Sequence, residues 1–310
     1  MYETVCTIPV ALPFRLDLTI WALRRREKNT IDYWDGQKYS RILILSDIPV
    51  KLTVLQWPFV PDRKPPQVFV RLQSRERLTP EQQLDAQVIA QKVLGMAVDV
   101  QPFWVLAAKN PVLKPLAEQF SGVRPPRFPT IFEALVNAIA CQQVSLDAGI
   151  ALLNRFTETF GLAFPGTAST MHAFPRPEDV FDVPESDLKQ LGFSYQKARA
   201  VKEVAYAVAD EELRLEQFEL ATNEEALGSL RSIRGIGRWS AEYVLLRGLG
   251  RLDIFPGDDV GGQYNIQKLL GLDTRPDYEQ LENLTAAWRP YAGFVYFHLL
   301  LSKLHDKGLV

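Results

Sequence analysis

The sequence predicts an α+β N-terminal domain, an antiparallel sheet with helices, followed by an all-α domain. Short β-branched segments such as YSRILILSD and PQVFVRLQ are confined to the first hundred or so residues, as expected for strands. From FPTIFEALVNAIACQQVS onward, apolar residues recur at helical spacing and strand signals disappear. The length of 310 residues favours two domains, since a domain has about 100–200 residues. We place them at residues 1–105 and 106–310.

The N-terminal region contains four strand-like segments, separated by the turn signals WDGQ and PDRKPP. RLDLTIWALRR is compatible with a helix or with a bent strand. TPEQQLDAQVIAQKVLGM predicts a helix that Thr79 caps and Pro80 begins. Its apolar residues at helical spacing are Leu84, Val88, Ile89, Val93 and Leu94.

The second domain is predicted to consist of consecutive helices. These could form two helical subdomains with a cleft between them. Pro129 begins one helix, and Gly161 ends the next. The Pro/Gly/Ser-rich stretch AFPGTASTMHAFPRPEDV is predicted to be a loop before the remaining helices.

The composition excludes several classes of protein. With 47% hydrophobic and 23% charged residues, the chain is neither collagen-like nor disordered. Two cysteines cannot form a disulfide framework, a four-cysteine zinc site or an iron–sulfur site. No run approaches the roughly 20 apolar residues of a membrane span, so we expect no membrane association. The expected location is cytoplasmic or nucleoid-associated in a bacterium and nuclear in a eukaryote. The net charge of −2 gives no sign of a nucleic-acid partner, so any basic face must be local.

A local basic motif does occur in LGSLRSIRGIGRWSAEYVLLRGLG. One helix ends at Ile233, a tight Gly235-Ile236-Gly237 hairpin follows, and a second helix starts at about Trp239. The glycines allow a sharp turn whose N–H groups lie at a helix N-terminus, where the helix dipole favours an anion. The pattern therefore predicts a helix-hairpin-helix that holds a nucleic-acid backbone without reading its sequence. The alternative is a glycine-rich turn between two packed helices, with the arginines of the motif on a solvated face. These arginines are Arg231, Arg234, Arg238, Arg247 and Arg251.

Two adjacent carboxylates follow in DIFPGDDVGGQ. Asp258 and Asp259 at a helix start are often only an N-cap and its neighbour. After a phosphate-holding hairpin, such a carboxylate can also lie beside the sugar of a captured nucleotide. There it would stabilise positive charge at the anomeric carbon.

A helix-hairpin-helix, a Gly/Pro-rich loop and then Asp resemble the helix-hairpin-helix superfamily of base-excision DNA glycosylases. The resemblance covers about residues 105–310 and is strongest to the DNA-3-methyladenine glycosylase II family, through IRGIGRWSAEY, LRGLG, FPGDD and WRPYAGFVYFHLL. It implies a monofunctional enzyme that flips out alkylated purines of the 3-methyladenine and 7-methylguanine type and hydrolyses their N-glycosidic bond. The implied partner is damaged double-stranded DNA, bound by a monomer.

The resemblance assigns roles in catalysis and in the base pocket. Asp259 matches the catalytic aspartate, with Asp258 as its neighbour. Trp239 stands where lyase relatives such as endonuclease III carry a nucleophilic lysine, so no lyase activity is expected. Trp239 and Tyr243 match pocket aromatics. Leu300 replaces a pocket tryptophan and Val260 replaces an aromatic, which puts the range of substrates in doubt.

The resemblance also assigns contacts to DNA. The hairpin residues Gly235, Ile236, Gly237 and Arg238, with Ser240 nearby, would hold a phosphate. The wedge that fills the stack would be Gln142 or Gln143, with Gln143 at the matching place. The resemblance implies no required cofactor and no iron–sulfur cluster. Backbone carbonyl groups in the hairpin could hold a structural Na⁺ or K⁺, and the matching residues are Arg231, Ile233 and Ile236.

The last helix carries four aromatic residues, which we predict to line the pocket, and a histidine. His298 is predicted to be a core residue rather than a catalyst. Two alternatives stay open for the whole chain: a glycosylase for oxidised or deaminated bases, and a non-catalytic DNA-binding module. The four aromatic residues are Tyr291, Phe294, Tyr296 and Phe297.

Overall fold

A computed structural model describes residues 1–56, 66–164 and 170–310. Its N-terminal region is an antiparallel sheet in the order β1-β5-β4-β3-β2. The turn predicted at PDRKPP falls almost wholly outside the described residues. The strands are β1 Tyr2–Pro9, β2 Tyr33–Trp34, β3 Lys38–Leu45, β4 Ile48–Gln56 and β5 Gln67–Ser74.

Helices make up most of the remaining described residues. The segment that was compatible with helix or strand is a helix, α1. Within the described residues, none of the helices combines the length and the apolar character needed to cross a membrane. The helices are α1 Leu16–Arg24, α2 Pro80–Val93, α3 Gln101–Lys109, α4 Leu113–Gln119, α5 Ile131–Cys141, α6 Leu146–Phe160, α7 Glu185–Gln190, α8 Tyr195–Ala209, α9 Gln217–Leu220, α10 Asn223–Ser232, α11 Arg238–Arg247, α12 Val260–Leu270, α13 Tyr278–Thr285 and α14 Ala292–His305.

A short strand pair lies in the region predicted to be a loop. β6 Ala163–Phe164 pairs antiparallel with β7 Met171–His172, and Ala173 makes a bridge to Ile42 of β3. Part of the predicted loop, residues 165–169, is outside the described residues. The pair ties the helical half to the N-terminal sheet.

Helix α2 begins as predicted, but only part of its predicted apolar set is buried: Val93 and Leu94 are in the core, and Leu84 and Val88 are not. Thr79 forms a capping box with Gln82, and Pro80 follows it. The side chains packed inward include Ala86 and Ala90, whereas Leu84 is 59% and Val88 54% exposed. Small alanine side chains let the helix lie close to the sheet, and two of the larger apolar residues face away from it. Those exposed residues are Leu84 and Val88.

The buried apolar side chains form two main clusters, and α11 contributes to both. Val244 packs in the cluster that holds the sheet and α5, while Leu246 packs in the cluster that holds α3 and α14. The predicted domain boundary at residues 105–106 lies inside α3, whose Phe103 is buried in the second cluster. Helix α11 is therefore anchored on both sides, which fixes the start of this helix and the hairpin before it.

Candidate active site

A cleft of about 1260 Å³ lies where the hairpin before α11 meets the end of α5, the start of α12 and one face of α14. The residues predicted to act in catalysis, to bind DNA or to hold a cation line this one cleft, as do Trp239, Tyr243 and Leu300 of the predicted base pocket. They are Asp259, Trp239, Tyr243, Asp258, Leu300, Gly235, Ile236, Gly237, Arg238, Ser240, Gln142, Gln143, Arg231 and Ile233.

The hairpin requires one of its glycines for conformation and leaves the other open to solvent. Gly235 has φ +83, and a Cβ there would lie 2.7 Å from the Cβ of Ala200. Gly237 caps α11, and a Cβ at this position would meet nothing within 4 Å. The N–H groups of both glycines make no hydrogen bond within the described part of the chain. These two donors are therefore available to an anion.

The other predicted hairpin contacts are constrained by burial. The Ile236 N–H donates to the Ile233 carbonyl at 3.1 Å, and the Ile236 side chain is 4% exposed. Ser240 is 2% exposed, and its Oγ accepts from Gln142 Nε2 at 2.8 Å. Ser240 is therefore largely buried with its hydroxyl bonded to Gln142, and its contact with a phosphate stays a prediction.

The two glutamines that follow α5 are in different environments. Gln142 Nε2 also donates to the Gly235 carbonyl at 2.8 Å, so this side chain ties the end of α5 to the hairpin. Lys197 Nζ donates to the carbonyls of Ala140 and Gln142 at the same helix end. Gln143 is exposed and has φ +53, in the left-handed region. Of the two glutamines, only Gln143 projects freely at the cleft.

Asp259 occupies the start of α12, where each of its carboxylate oxygens accepts one hydrogen bond. Oδ1 accepts from the Gly262 N–H at 2.5 Å, which is an N-cap. Oδ2 accepts from Trp239 Nε1 at 3.1 Å. The carboxylate is therefore held by α11 and α12 together. It can act as an N-cap and still present negative charge to the cleft.

The neighbouring Asp258 is paired with an arginine. Arg238 donates to both Asp258 oxygens at 2.8 and 3.1 Å, and its guanidinium lies 3.6 Å from the centroid of the Tyr278 ring. Asp258 thus belongs to an ion pair at the cleft rim. Arg238, predicted to contact DNA, has its charge largely balanced by this carboxylate.

Glu242 holds the loop before Asp259, a role that the sequence analysis missed. Its Oε2 accepts from the Gly257 N–H at 3.0 Å and its Oε1 from the Tyr278 hydroxyl at 2.7 Å. Burial raises the pKa of Glu242 to about 7, although both hydrogen bonds oppose that shift. The sequence did contain a signal for this role. Glu242 lies three residues after Trp239, and a carboxylate within an otherwise apolar stretch of a helix needs a partner.

Tyr243 is packed against Trp239, with ring centroids 5.3 Å apart and planes inclined by 32°. Its hydroxyl accepts from Nη1 of Arg25 at 2.7 Å, and Nη2 of Arg25 donates to Asn137 at 2.8 Å. Arg25 is 4% exposed, lines the cleft and comes from the end of α1. The N-terminal domain therefore contributes a side chain to the site, which no motif in its sequence indicated.

Two of the five arginines counted as basic face residues do not face the cleft. Arg247 is 1% exposed and donates to the carbonyls of Ala22 and Leu23. Arg251 donates to three carbonyls around α9. The three exposed arginines of the motif are Arg231, Arg234 and Arg238. Arg238 is paired with Asp258, and Glu203 lies 3.6 Å from Arg234. The basic surface is therefore smaller than the sequence suggests.

Only one of the four aromatic residues predicted to line the pocket from α14 does so. Tyr296 lines the cleft with Leu300 and Lys303. The rest of the set packs in the apolar cluster: Tyr291, Phe294 and Phe297.

His298 is a core residue, as predicted. Its Nδ1 lies 2.9 Å from the Phe294 carbonyl oxygen. Burial lowers the pKa of His298 to about 4, so the ring is neutral near pH 7.

The hairpin carbonyls remain the candidate cation site. Among the described residues, no group of three or more His, Cys, Asp or Glu side chains could hold a metal ion. The carbonyls of Arg231, Ile233 and Ile236 are neutral donors, which suits a monovalent ion better than a divalent one. The Ile233 oxygen accepts one hydrogen bond in the turn, which leaves its second lone pair.

Comparison of the sequence with known proteins identifies a family and several relatives. Residues 136–290 match the HhH-GPD superfamily, described as base excision DNA repair proteins. A DNA-3-methyladenine glycosylase of Bacillus subtilis is 30% identical over 201 residues, which are 65% of this chain. The match spans 66% of that relative, just under two thirds of its length.

Solved structures extend the likeness to the whole fold. A 3-methyladenine DNA-glycosylase from Archaeoglobus fulgidus superposes with a TM-score of 0.83 at 22% identity, over 98% of this chain and 100% of that one. The Schizosaccharomyces pombe 3-methyladenine DNA glycosylase, solved with abasic DNA, gives 0.58 at 27% identity, over 66% of this chain and 98% of that one. The first match shows that the N-terminal sheet and the helical region occur together in another protein.

Proposed function

This chain belongs to the HhH-GPD superfamily of base excision DNA repair proteins, and from that premise we propose that it is a monofunctional DNA glycosylase for alkylated purines. One observation carries the proposal: the Asp259 carboxylate, held by Trp239 and Gly262, shares a cleft with the free N–H groups of the hairpin. The relatives named DNA-3-methyladenine glycosylase support bases of the 3-methyladenine and 7-methylguanine type. The partner is damaged double-stranded DNA, bound by a monomer.

A glycosidic bond inside duplex DNA is out of reach, so the damaged nucleotide is turned out into the cleft. The N–H groups of Gly235 and Gly237 bind a phosphate beside it, with the dipole of α11 behind them. Gln143 fills the space left in the base stack. Gln142 is unsuited to that task because it holds the hairpin.

Asp259 then acts on the sugar. As the base leaves with the electrons of the glycosidic bond, positive charge develops at the anomeric carbon, and the fixed carboxylate stabilises it. Water adds to that carbon, and the carboxylate orients it. The rings of Trp239 and Tyr243 attract a cationic alkylated base, at about 0.5–2 kcal/mol per contact.

The reaction ends at the abasic site, since Trp239 replaces the lysine that would form a Schiff base. Lys303 lines the cleft and is the residue to check. Borohydride added during turnover would trap a covalent complex if Lys303 attacked the sugar. We expect no trapped complex in the wild type, and a complex lost in Lys303→Ala would contradict this part of the proposal.

The direct test uses duplexes that contain 7-methylguanine or 3-methyladenine, without added metal. We expect release of free base by the wild type, strand scission only after alkali, and no release by Asp259→Asn. Asn also caps helices, so the variant keeps the α12 start and its DNA binding. Release only from oxidised or deaminated bases would move the assignment to that lesion class. DNA binding without any release would support the non-catalytic module.

We infer that no cofactor or iron–sulfur cluster is needed, and that the hairpin carbonyls bind Na⁺ or K⁺. Such an ion would stiffen the turn that presents the Gly235 and Gly237 N–H groups. At equal ionic strength, replacing K⁺ by tetramethylammonium should weaken DNA binding several-fold. Equal binding in the two salts would argue against the ion.

A further inference from the structure

The C-terminal end of α5 is bound by a lysine of α8, Lys197. Its Nζ donates to the carbonyl of Ala140 at 2.9 Å and to the carbonyl of Gln142 at 2.7 Å. The last carbonyl groups of a helix have no partner within the helix, and the helix dipole makes this end negative. The Lys197 ammonium therefore supplies both the donors and the positive charge that the end of α5 needs.

The ammonium of Lys197 is paired with carbonyl oxygens rather than with a carboxylate. The one carboxylate of α8, that of Glu203, lies 2.7 Å from Arg199 instead. Lys197 is only partly exposed, and burial lowers its pKa. A cation that is partly withdrawn from water needs compensating hydrogen bonds, and those that the described residues give it are the two at the end of α5.

The bond to the Gln142 carbonyl acts directly on Gln143. This carbonyl belongs to the peptide unit that ends at the Gln143 nitrogen, and a peptide unit is planar. Holding its oxygen therefore fixes the direction in which the Gln143 N–Cα bond starts. Gln143 has φ +53, and a residue other than glycine stays in this left-handed region only where its surroundings impose it. Ser145 then caps α6 by accepting from the Ala148 N–H at 3.2 Å, so the turn is short and held at both ends.

Helix α8 supports the hairpin as well as this turn. A Cβ on Gly235 would lie 2.7 Å from the Cβ of Ala200, which follows Lys197 by three residues. The side chain of Gln142 donates to the Gly235 carbonyl at 2.8 Å. Gln142 is thus bound to α8 through its backbone and to the hairpin through its side chain. The position of Gln143 relative to the hairpin is fixed by these contacts.

We propose that Lys197 is a positioning residue for base flipping. It holds the peptide between Gln142 and Gln143 so that the Gln143 side chain enters the base stack while the hairpin binds the DNA backbone. The inference rests on the proposed function, in which Gln143 is the wedge. It adds a residue that touches neither the damaged base nor the sugar and acts through the geometry of the turn.

The experiment measures single-turnover release of 7-methylguanine from two duplexes. In one the lesion is paired with cytosine, and in the other it has no nucleotide opposite. A base without a partner costs less to turn out of the stack, so it depends less on the wedge. We expect Lys197→Met to slow release from the paired lesion about tenfold and from the unpaired lesion by about twofold or less.

Two further lysine variants give the rescue and the control. Lys197→Arg keeps a charged donor of similar length and should restore most of the rate on the paired lesion. Lys202→Met makes the same change as Lys197→Met on the same helix, at a lysine without a hydrogen bond or ion pair to any described residue. It should release both lesions at the rates of the wild type. If Lys197→Met does not fold, Lys197→Gln, which can still donate to one carbonyl, makes the same comparison with a smaller expected difference.

A double variant tests whether Lys197 acts through Gln143. Once Gln143→Ala has removed the wedge, adding Lys197→Met should slow release from the paired lesion by about twofold or less, since coupled residues give losses that do not add. Losses that multiply in full would overturn the proposal.

The other outcomes separate this inference from the proposed function. Equal slowing on the paired and unpaired lesions would mean that Lys197 only stabilises the end of α5. A salt dependence of DNA binding whose slope falls by about one in Lys197→Met would mean that the lysine binds a phosphate. Either result would overturn the positioning role while the wild type still released the base. Release of no base from either duplex by the wild type would show that the proposed function itself is wrong.

Discussion

Among the side chains that the structure describes, only the indole N–H of Trp239 donates to Asp259, and it fixes the Oδ2 oxygen. We predict that Trp239→Phe, which keeps an aromatic ring, lowers turnover about tenfold, since a hydrogen bond to a charged group contributes roughly 1.5–3 kcal/mol. The KM for damaged DNA should change less than kcat, because the lost contact orients the carboxylate rather than the duplex.

Trp104 offers a matched control for that measurement. Its Nε1 is buried and has no hydrogen-bond partner among the described residues. Trp104→Phe therefore makes the same chemical change without removing a hydrogen bond, and its turnover should equal that of the wild type. A similar loss in both variants would mean that Trp239 acts only through packing.

Glu242 makes stability depend on pH. Its pKa is raised from 4.5 to about 7 in the folded protein, so the folded state binds the proton more tightly than the unfolded chain does. The contribution of Glu242 to the free energy of unfolding is therefore largest at low pH. It falls as the pH rises through about 4.5 to 7, by about 3 kcal/mol.

The measurement is urea unfolding of the wild type and Glu242→Gln across that range of pH. The glutamine stays neutral, so the difference in unfolding free energy between the two proteins should vary with pH in this window and level off outside it. A constant difference would show that Glu242 has the same pKa in the folded and unfolded states. Glu133, whose pKa burial also raises to about 7 despite Arg41, is common to both proteins and cancels.

Site residues could be predicted from the sequence where they belong to one short motif. Trp239 and Asp259 are 20 residues apart, in consecutive helices joined by one loop. Arg25 is 218 residues from Tyr243, and nothing within α1 marks it, so only tertiary packing brings it to the cleft. Arg247 is different, because its spacing of four from Tyr243 places both on one buried helix face. That periodicity was available as a signal.

At the scale of elements, the hairpin contains two glycines with different requirements. Gly235→Ala must adopt φ +83 and place its Cβ 2.7 Å from Ala200, which should destabilise the protein by about 1–3 kcal/mol. Gly237→Ala has ordinary φ and open space, so its stability should match the wild type. Its affinity for DNA should fall several-fold, since the methyl group occupies the approach to the N–H groups. Thermal unfolding and DNA titration of both variants test the pair.

The opposite pattern would be informative. If Gly237→Ala binds DNA normally, the phosphate does not approach this side of the hairpin. If Gly235→Ala unfolds at the wild-type temperature, the turn can rearrange around Ala200.

At the scale of the molecule, the small number of free cations sets the salt dependence of DNA binding. Arg231 and Lys303 line the cleft without an ion pair among the described residues, and Arg234 has a distant one. With about three phosphates contacted, the slope of log K against log salt should be about −3. Arg231→Gln should reduce it by about one. Arg251→Gln should leave the slope unchanged, because the Arg251 side chain donates hydrogen bonds to backbone carbonyls.

A slope several times steeper would mean that DNA covers surface well beyond the cleft.

The sequence overstated the basic face because a count of arginines in a motif does not tell which of them are buried. The general architecture was predictable, since strands and helices occupy separate parts of the chain. The short strand pair near Ile42 and Ala173 was not, because two-residue strands leave no periodic signal.

Arg25 and Arg247 connect α1 and α11 in both directions, one reaching into the cleft and the other reaching back to the carbonyls of Ala22 and Leu23. A chimera that joined the N-terminal domain of a relative to this helical domain would therefore inherit the relative's residue behind Tyr243. The wall of the cleft beside Tyr243 would change with the N-terminal half, while Asp259 and its bonds from Trp239 and Gly262 stayed with the other. The lining of the cleft can therefore change through the part of the chain in which the sequence shows no functional motif.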